Sequence, residues 1–378
     1  MKKWMAALLA VSLCILPARA AVAGAPEVAA GAAVLMEKET GTVLYEEHAH
    51  DKLEPASVTK VMTLLLVMEA IDNGTLGVDE TVQVSARAAS MGGSQVYLKE
   101  GETMTVRDLL KAVAVVSGND AAVTLAERVA GSESAFVERM NQRAAELGMA
   151  DTTFMNCTGL PAAGHLTSAH DIAVMSRELI LHHPAIREYT TIWMDSIRDG
   201  AFQLSNTNKL IRFYDGATGL KTGSTDAALY CLSATAERDG MELIAVILKS
   251  PTSAQRFETA KSMLDFGFAN YTVLDAHPAQ ALAPVDVLLG EAEQVQPVLA
   301  GTSRVLVEKA QINEVETRIA LTPNVEAPVE EGQKLGEMTV LVGGEVKETI
   351  PIVAAQAVPR LTIPGIFQNL LKHFFMAK

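Results

Sequence analysis

Gly219-Leu220-Lys221-Thr222-Gly223 opens a strand-forming block that continues through Leu229 to Ala236, the turn Arg238-Asp239-Gly240, and Leu243-Ile244-Ala245-Val246-Ile247-Leu248. Apolar runs separated by such short turns predict antiparallel neighbours. Far upstream, Ala33-Val34-Leu35-Met36-Glu37 and Thr42-Val43-Leu44-Tyr45 flank Gly41 and read as a β-hairpin. From Ser85 to Asn270 the remaining periodicity is mostly helical, with loops at Met91-Gly92-Gly93-Ser94 and Asn156-Cys157-Thr158-Gly159-Leu160-Pro161, and an amphipathic helix over Gln255 to Phe268. Strands at both ends with helices between predict an α+β domain over residues 27–272, an antiparallel sheet with helices on its faces, in which the two ends of the domain share the sheet.

Beyond about Asp275 the texture changes to Pro, Val, Glu and Gly. Short alternating runs at Ser303 to Val307, Val315 to Leu321, Thr339 to Val342 and Glu348 to Val353 predict a small all-β domain over 275–362. The chain has 378 residues, 49% of them hydrophobic and 20% charged, which excludes a disordered chain. Three cysteines exclude a disulfide-stapled scaffold, and Cys157 and Cys231 read as buried free thiols. The formal charge of −14 argues against a nucleic-acid partner. No metal and no cofactor are called for: the histidines are scattered, and the His182-His183 pair reads as a helix end before Pro184.

Lys2 and Lys3, the apolar run Trp4 to Leu16 and the small residues Ala18-Arg19-Ala20 make residues 1–20 a secretory signal peptide. Removing them takes away three bases and no acid, leaving a more acidic exported body. At the other terminus Ile366-Phe367, Leu370-Leu371 and Phe374-Phe375 recur every four residues opposite Gln368-Asn369 and Lys372-His373. On a helix over 364–378 these pairs form one apolar stripe, suited to lying in a membrane surface. The expected location is outside the cell's cytoplasm, at the outer face of the cytoplasmic membrane.

Three stretches carry chemistry. Pro55-Ala56-Ser57 opens a helix to about Asp72 that is apolar nearly all round, so it is expected to lie buried between layers. Ser57 and Lys60 are three apart and share one face, about 5–6 Å between Cβ atoms. Free N–H groups of the first turn favour developing negative charge at the serine, and desolvation equips the lysine to take its proton. Ser117-Gly118-Asn119 supplies a hydroxyl for proton relay and an amide for a substrate carbonyl. Lys221-Thr222-Gly223, with Ser224 after it, lies on a strand that can pair with an extended peptide. Gly223 is expected to let that peptide approach closely; Lys221 would attract a carboxylate and hold Lys60 neutral by like-charge repulsion. Each stretch alone is ordinary capping, turn or surface-strand sequence; together in one exported chain they match a known trio.

With these motifs the sequence resembles the low-molecular-weight penicillin-binding proteins, serine-type D-alanyl-D-alanine carboxypeptidases, along nearly its whole length. The resemblance is carried by Pro55 to Lys60, Ser117-Gly118-Asn119-Asp120-Ala121 and Asp215 to Gly223. It implies that Ser57 attacks the D-Ala-D-Ala carbonyl of a peptidoglycan stem peptide with Lys60 as general base. The N–H groups of Ser57 and Ser224 would form the oxyanion hole. Ser117 would relay a proton, Asn119 would orient the peptide amide, and Lys221 and Thr222 would hold the terminal carboxylate. β-Lactams would acylate Ser57. A β-lactamase-like, endopeptidase or transpeptidase variant of the same chemistry is the alternative, weakened because Asn156 to Leu160 offers no carboxylate to activate water. A non-catalytic wall-binding protein has no support, all three motifs being intact. Asp171, Glu178 and Arg256 are read as solvated helix charges.

Overall fold

The computed structural model describes residues 24–278 and 280–367, so the leader and most of the expected terminal helix lie outside the described residues. Five strands build the central sheet: β1 (Ala32–Glu37), β2 (Val43–Glu47), β3 (Ala217–Thr225), β4 (Leu229–Arg238) and β5 (Met241–Ser250). Their order is β2-β1-β5-β4-β3, with every neighbouring pair antiparallel. Val34 lies opposite Val246 and Leu35 opposite Ala245, so the two ends of the domain do meet in one sheet. Both faces of that sheet are covered, which is why β1 is buried at every position. Alternate side chains serve the two layers. Val34, Ile244 and Val246 face a large helical layer; Leu35, Leu243 and Ile247 pack with Phe257 and Leu264 on the opposite side.

The helical layer is centred on α1 (Lys60–Asp72), in which every residue except Glu69, Ile71 and Asp72 is buried. Around it stand α2 (Val106–Val116), α3 (Asn119–Ala130) and α4 (Ala169–His182), while α5 (Ser253–Asn270) covers the far face of the sheet. Thr105 and Thr252 start α2 and α5 by accepting the N–H groups of Asp108 and Gln255 at 3.1 Å each. The mostly helical stretch also holds a β-hairpin that its periodicity does not announce, Met194–Ile197 with Phe202–Ser205. Its turn, Arg198-Asp199-Gly200, has positive φ throughout. The Arg198 guanidinium anchors it at a distance, donating to Val96 O at 2.8 Å and to Glu102 Oε1 at 2.6 Å.

The strand Tyr271–Asp275 follows α5 directly and pairs along its whole length with Arg304–Glu308, so the all-β domain begins at the end of α5. Pro297–Leu299, Glu345–Ala354, Lys334–Val342 and Val315–Leu321 form its four-stranded sheet in that order, with a smaller three-stranded sheet beside it. Lys309 Nζ donates to Phe268 O at 2.7 Å, and Arg304 reaches Gly240 O and Glu39, joining the two domains. Cys157 and Cys231 are buried and unpaired. Residues 363–367 are helical, rooted by the Leu361 N–H on Leu289 O at 2.8 Å.

Candidate active site

Ser57 sits in a 3-10 turn, Ala56–Thr59, that runs straight into α1. Ala56 before it has φ +47°, a conformation uncommon for a residue with a side chain. Two outside contacts hold that turn. The Met155 N–H donates to His165 Nδ1 at 2.9 Å, which places the ring proton on Nε2, facing Thr59 Oγ1 at 2.8 Å. The Thr59 hydroxyl then donates to Ala56 O at 2.8 Å. Burial keeps His165 neutral by lowering its pKa to about 4. From the other side Gly159, at φ +83°, packs so tightly on Ala56 that a Cβ there would overlap the Ala56 carbonyl.

Lys60 is fully buried one turn after the serine. Its Nζ lies 2.6 Å from Asn119 Oδ1, 2.7 Å from Thr158 O and 3.2 Å from Ser57 Oγ. Burial lowers its pKa to about 7, partly offset by the negative charge of nearby Asp120. Near neutral pH, then, much of Lys60 is an uncharged amine. Such an amine has two hydrogens for its two shorter contacts, leaving its lone pair for the Ser57 hydroxyl proton. The Thr158 carbonyl is set by Asn156, whose Oδ1 accepts the N–H groups of Thr158 at 3.1 Å and Gly159 at 2.7 Å.

Ser117 closes α2 in the left-handed region, at φ 64°, and its buried Oγ has no hydrogen-bond partner among the described residues. Asn119 opens α3. Its Nδ2 donates to Gly92 O at 2.7 Å, so both ends of the amide are occupied and the side chain also positions Lys60. The Asp120 carboxylate accepts from the Val96 and Leu98 N–H groups, tying down the loop before α2. Thr207 binds both walls of the cleft: its N–H donates to Val115 O at 3.1 Å, and its hydroxyl meets Thr222 Oγ1 at 2.7 Å.

On β3, Lys221 is fully buried and donates to Thr222 O at 2.9 Å, while Ser224 is exposed. A Cβ on Gly223 would meet Ser57 N and Val58 N at 2.9 Å each, so the missing side chain lets β3 lie against the turn that carries Ser57. One expectation needs correction here: Lys60 is lowered by burial itself, and the repulsion acts on Lys221, held well below the usual lysine range by burial first, then by Lys60 and Arg256.

The three charges read as solvated are not so. Asp171 is buried and accepts from the Asp151 N–H and the Thr152 hydroxyl. Arg256 is buried, donating to Gly223 O at 3.1 Å and Cys231 O at 3.2 Å. Glu178 pairs with Arg143 at 2.6 Å. Thr59 and Asp120 lie inside the quoted motifs but were given no role there, and Thr158, His165 and Thr207 lie outside them altogether. Of these three only Thr158 had a visible signal, the Asn156 turn before Gly159. Among the described residues no three His, Cys, Asp or Glu side chains converge as a metal-ligand set.

A serine on a strained turn, a buried lysine aimed at it, an unpartnered second serine and a lysine-bearing strand opposite suit an acyl-transferring serine enzyme with a lysine base. The chain belongs to the D-alanyl-D-alanine carboxypeptidase family, peptidase S11, whose model matches residues 19–252. A second model, the C-terminal domain of penicillin-binding protein 5, matches residues 276–360. The D-alanyl-D-alanine carboxypeptidase DacF of Bacillus subtilis strain 168 is 42% identical over 335 residues, covering 86% of this chain and 85% of that one. The crystal structure of penicillin binding protein 5 from Haemophilus influenzae superposes with a TM-score of 0.77 at 28% identity, covering 89% of this chain and 99% of that one. Penicillin-binding protein D2 from Listeria monocytogenes in its ampicillin-bound form is 36% identical, with a TM-score of 0.59, covering 64% and 98%. The protein is a serine-type D-Ala-D-Ala carboxypeptidase of the penicillin-binding fold.

Proposed function

We propose that the enzyme removes the terminal D-alanine from peptidoglycan pentapeptide stems, working at the outer face of the cytoplasmic membrane. The observation that carries this is the fully buried Lys60, with two short acceptor contacts and Ser57 Oγ at its remaining face. Ser57 Oγ attacks the carbonyl of the penultimate D-alanine while Lys60 Nζ takes its proton. The N–H groups of Ser57 and Ser224 stabilise the oxyanion, each donor supplying about 3 kcal/mol. Lys60 then returns the proton by way of the Ser117 hydroxyl to the departing amine, and the C–N bond breaks. Water hydrolyses the acyl-enzyme, with Lys60 again as base. Asn119 orients the peptide amide, and Lys221 with Thr222 receives the terminal carboxylate, which supplies the counter-charge that buried Lys221 lacks.

A β-lactam carbonyl would enter the same way and remain on Ser57, as the ampicillin-bound relative suggests. Mass spectrometry after penicillin treatment tests the site: an adduct on Ser57, absent in Ser57→Ala, is expected, and an adduct mapped elsewhere overturns it. Release of D-alanine from diacetyl-Lys-D-Ala-D-Ala separates hydrolysis from mere acylation, whereas turnover of penicillin or cross-linked products would favour the alternatives.

Export by residues 1–20 and attachment through an amphipathic 364–378 helix complete the reading. No described helix is long and apolar enough to cross a membrane. Flotation with liposomes should carry up the full chain but not one ending at Pro364; equal partitioning removes the attachment role.

A further inference from the structure

A cavity of about 270 Å³ opens beside the nucleophile's turn, lined by Glu54, Ala56, Gly159, Leu160, His165 and Thr225 among others. Glu54 is half-buried, and among the described residues its carboxylate has neither a hydrogen bond nor an ion pair. Nothing in the wall offsets that charge. His165 is neutral, with both ring nitrogens engaged by Met155 and Thr59. The base nearest in sequence, Lys52, pairs instead with Asp151 at 3.7 Å.

The cavity also lies where a bound peptide would pass. With its terminal carboxylate at Lys221 and Thr222 and its scissile carbonyl at Ser57, a stem peptide extended along β3 runs its upstream residues toward Thr225. We propose that this cavity receives the side chain of the stem residue just before the two D-alanines, and that Glu54 selects one ending in an ammonium. The assignment rests on the carboxypeptidase reading above. An ammonium entering here gains a charge-assisted hydrogen bond to a carboxylate that has no other partner. A neutral amide in its place leaves that carboxylate unpaired. Acetylation of the side-chain amine therefore isolates the interaction, because it removes the charge and leaves the peptide backbone unchanged.

The test compares kcat/KM for Nα-acetyl-L-Lys-D-Ala-D-Ala and its Nα,Nε-diacetyl form. The wild-type enzyme should favour the free amine by about tenfold at low salt, mainly through KM, with the preference shrinking as salt rises. Glu54→Gln should bring the two substrates level, and Glu54→Lys should reverse their order. Acylation of Ser57 by a fluorescent penicillin shows whether each variant keeps its site, and the wild-type comparison needs no variant. Equal handling of the two peptides by the wild-type enzyme, or an undiminished preference in an acylatable Glu54→Gln, overturns the assignment. If penicillin acylates Ser57 but neither peptide loses D-alanine, the carboxypeptidase reading fails first and this one falls with it.

Discussion

Lys60 is the residue on which the proposed chemistry turns, and its burial sets a sign that can be measured. Below about pH 7 it carries the proton that prevents it from accepting another. The rate of Ser57 acylation by a β-lactam should therefore rise about tenfold per pH unit up to neutrality and then level off. Stopped-flow measurement across pH 5 to 9 checks this; a flat acid limb would show that the base is another group. Asp120 acts in the opposite direction, since its negative charge raises the Lys60 pKa. Asp120→Asn should move the acid limb to lower pH, while an unmoved limb would confine Asp120 to holding the Val96–Leu98 loop. The buried Ser117 hydroxyl is the complementary case: among the described residues it has no hydrogen-bond partner, which leaves it free for the proton relay proposed above.

At the scale of elements, the site is an agreement among four pieces of chain: the 56–59 turn, the start of α3, the 156–161 loop and β3. Two glycines make the agreement possible, Gly223 against Ser57 and Val58, and Gly159 against Ala56. Gly159→Ala combines an unfavourable positive φ with an overlap on backbone, and should cost about 2–4 kcal/mol of stability. In Gly223→Ala, β3 must retreat from the nucleophile, so acylation should drop about a hundredfold with little change in the far-UV circular dichroism. Wild-type acylation rates in that variant would contradict the packing described here. The motifs could be read from the sequence because each is a local string. The strands of the sheet were equally legible, since both of its faces are apolar. Thr158, His165 and Thr207 were not, because a backbone carbonyl, a neutral ring and a bridging hydroxyl act only through partners distant in sequence. The same holds for Asp171 and Arg256, where charge pattern suggests solvent and the fold supplies partners. The hairpin at Arg198 was hidden for a related reason, its anchor being Glu102 and the Val96 carbonyl.

For the whole molecule, two buried lysines with lowered pKa tie stability to pH. Unfolded, both hold protons up to about pH 10, whereas folded Lys60 gives its proton up near pH 7. The unfolded state thus holds more of these lysine protons between those limits, so each such lysine contributes a rise in stability of about 1.4 kcal/mol per pH unit. Denaturant melts of the wild type and Lys60→Met from pH 7 to 10 check this, the variant losing about one proton's worth of slope; identical slopes would mean that Lys60 stays protonated when buried. The sheet order has another consequence. Because β1 pairs with β5 and the nucleophile's turn rests on β3, a ribosome must finish nearly the entire catalytic domain before Ser57 acquires its surroundings. A nascent chain cut short before Gly223 should be chemically silent toward antibiotics, so reactivity switches on as a late event of synthesis and not gradually along it.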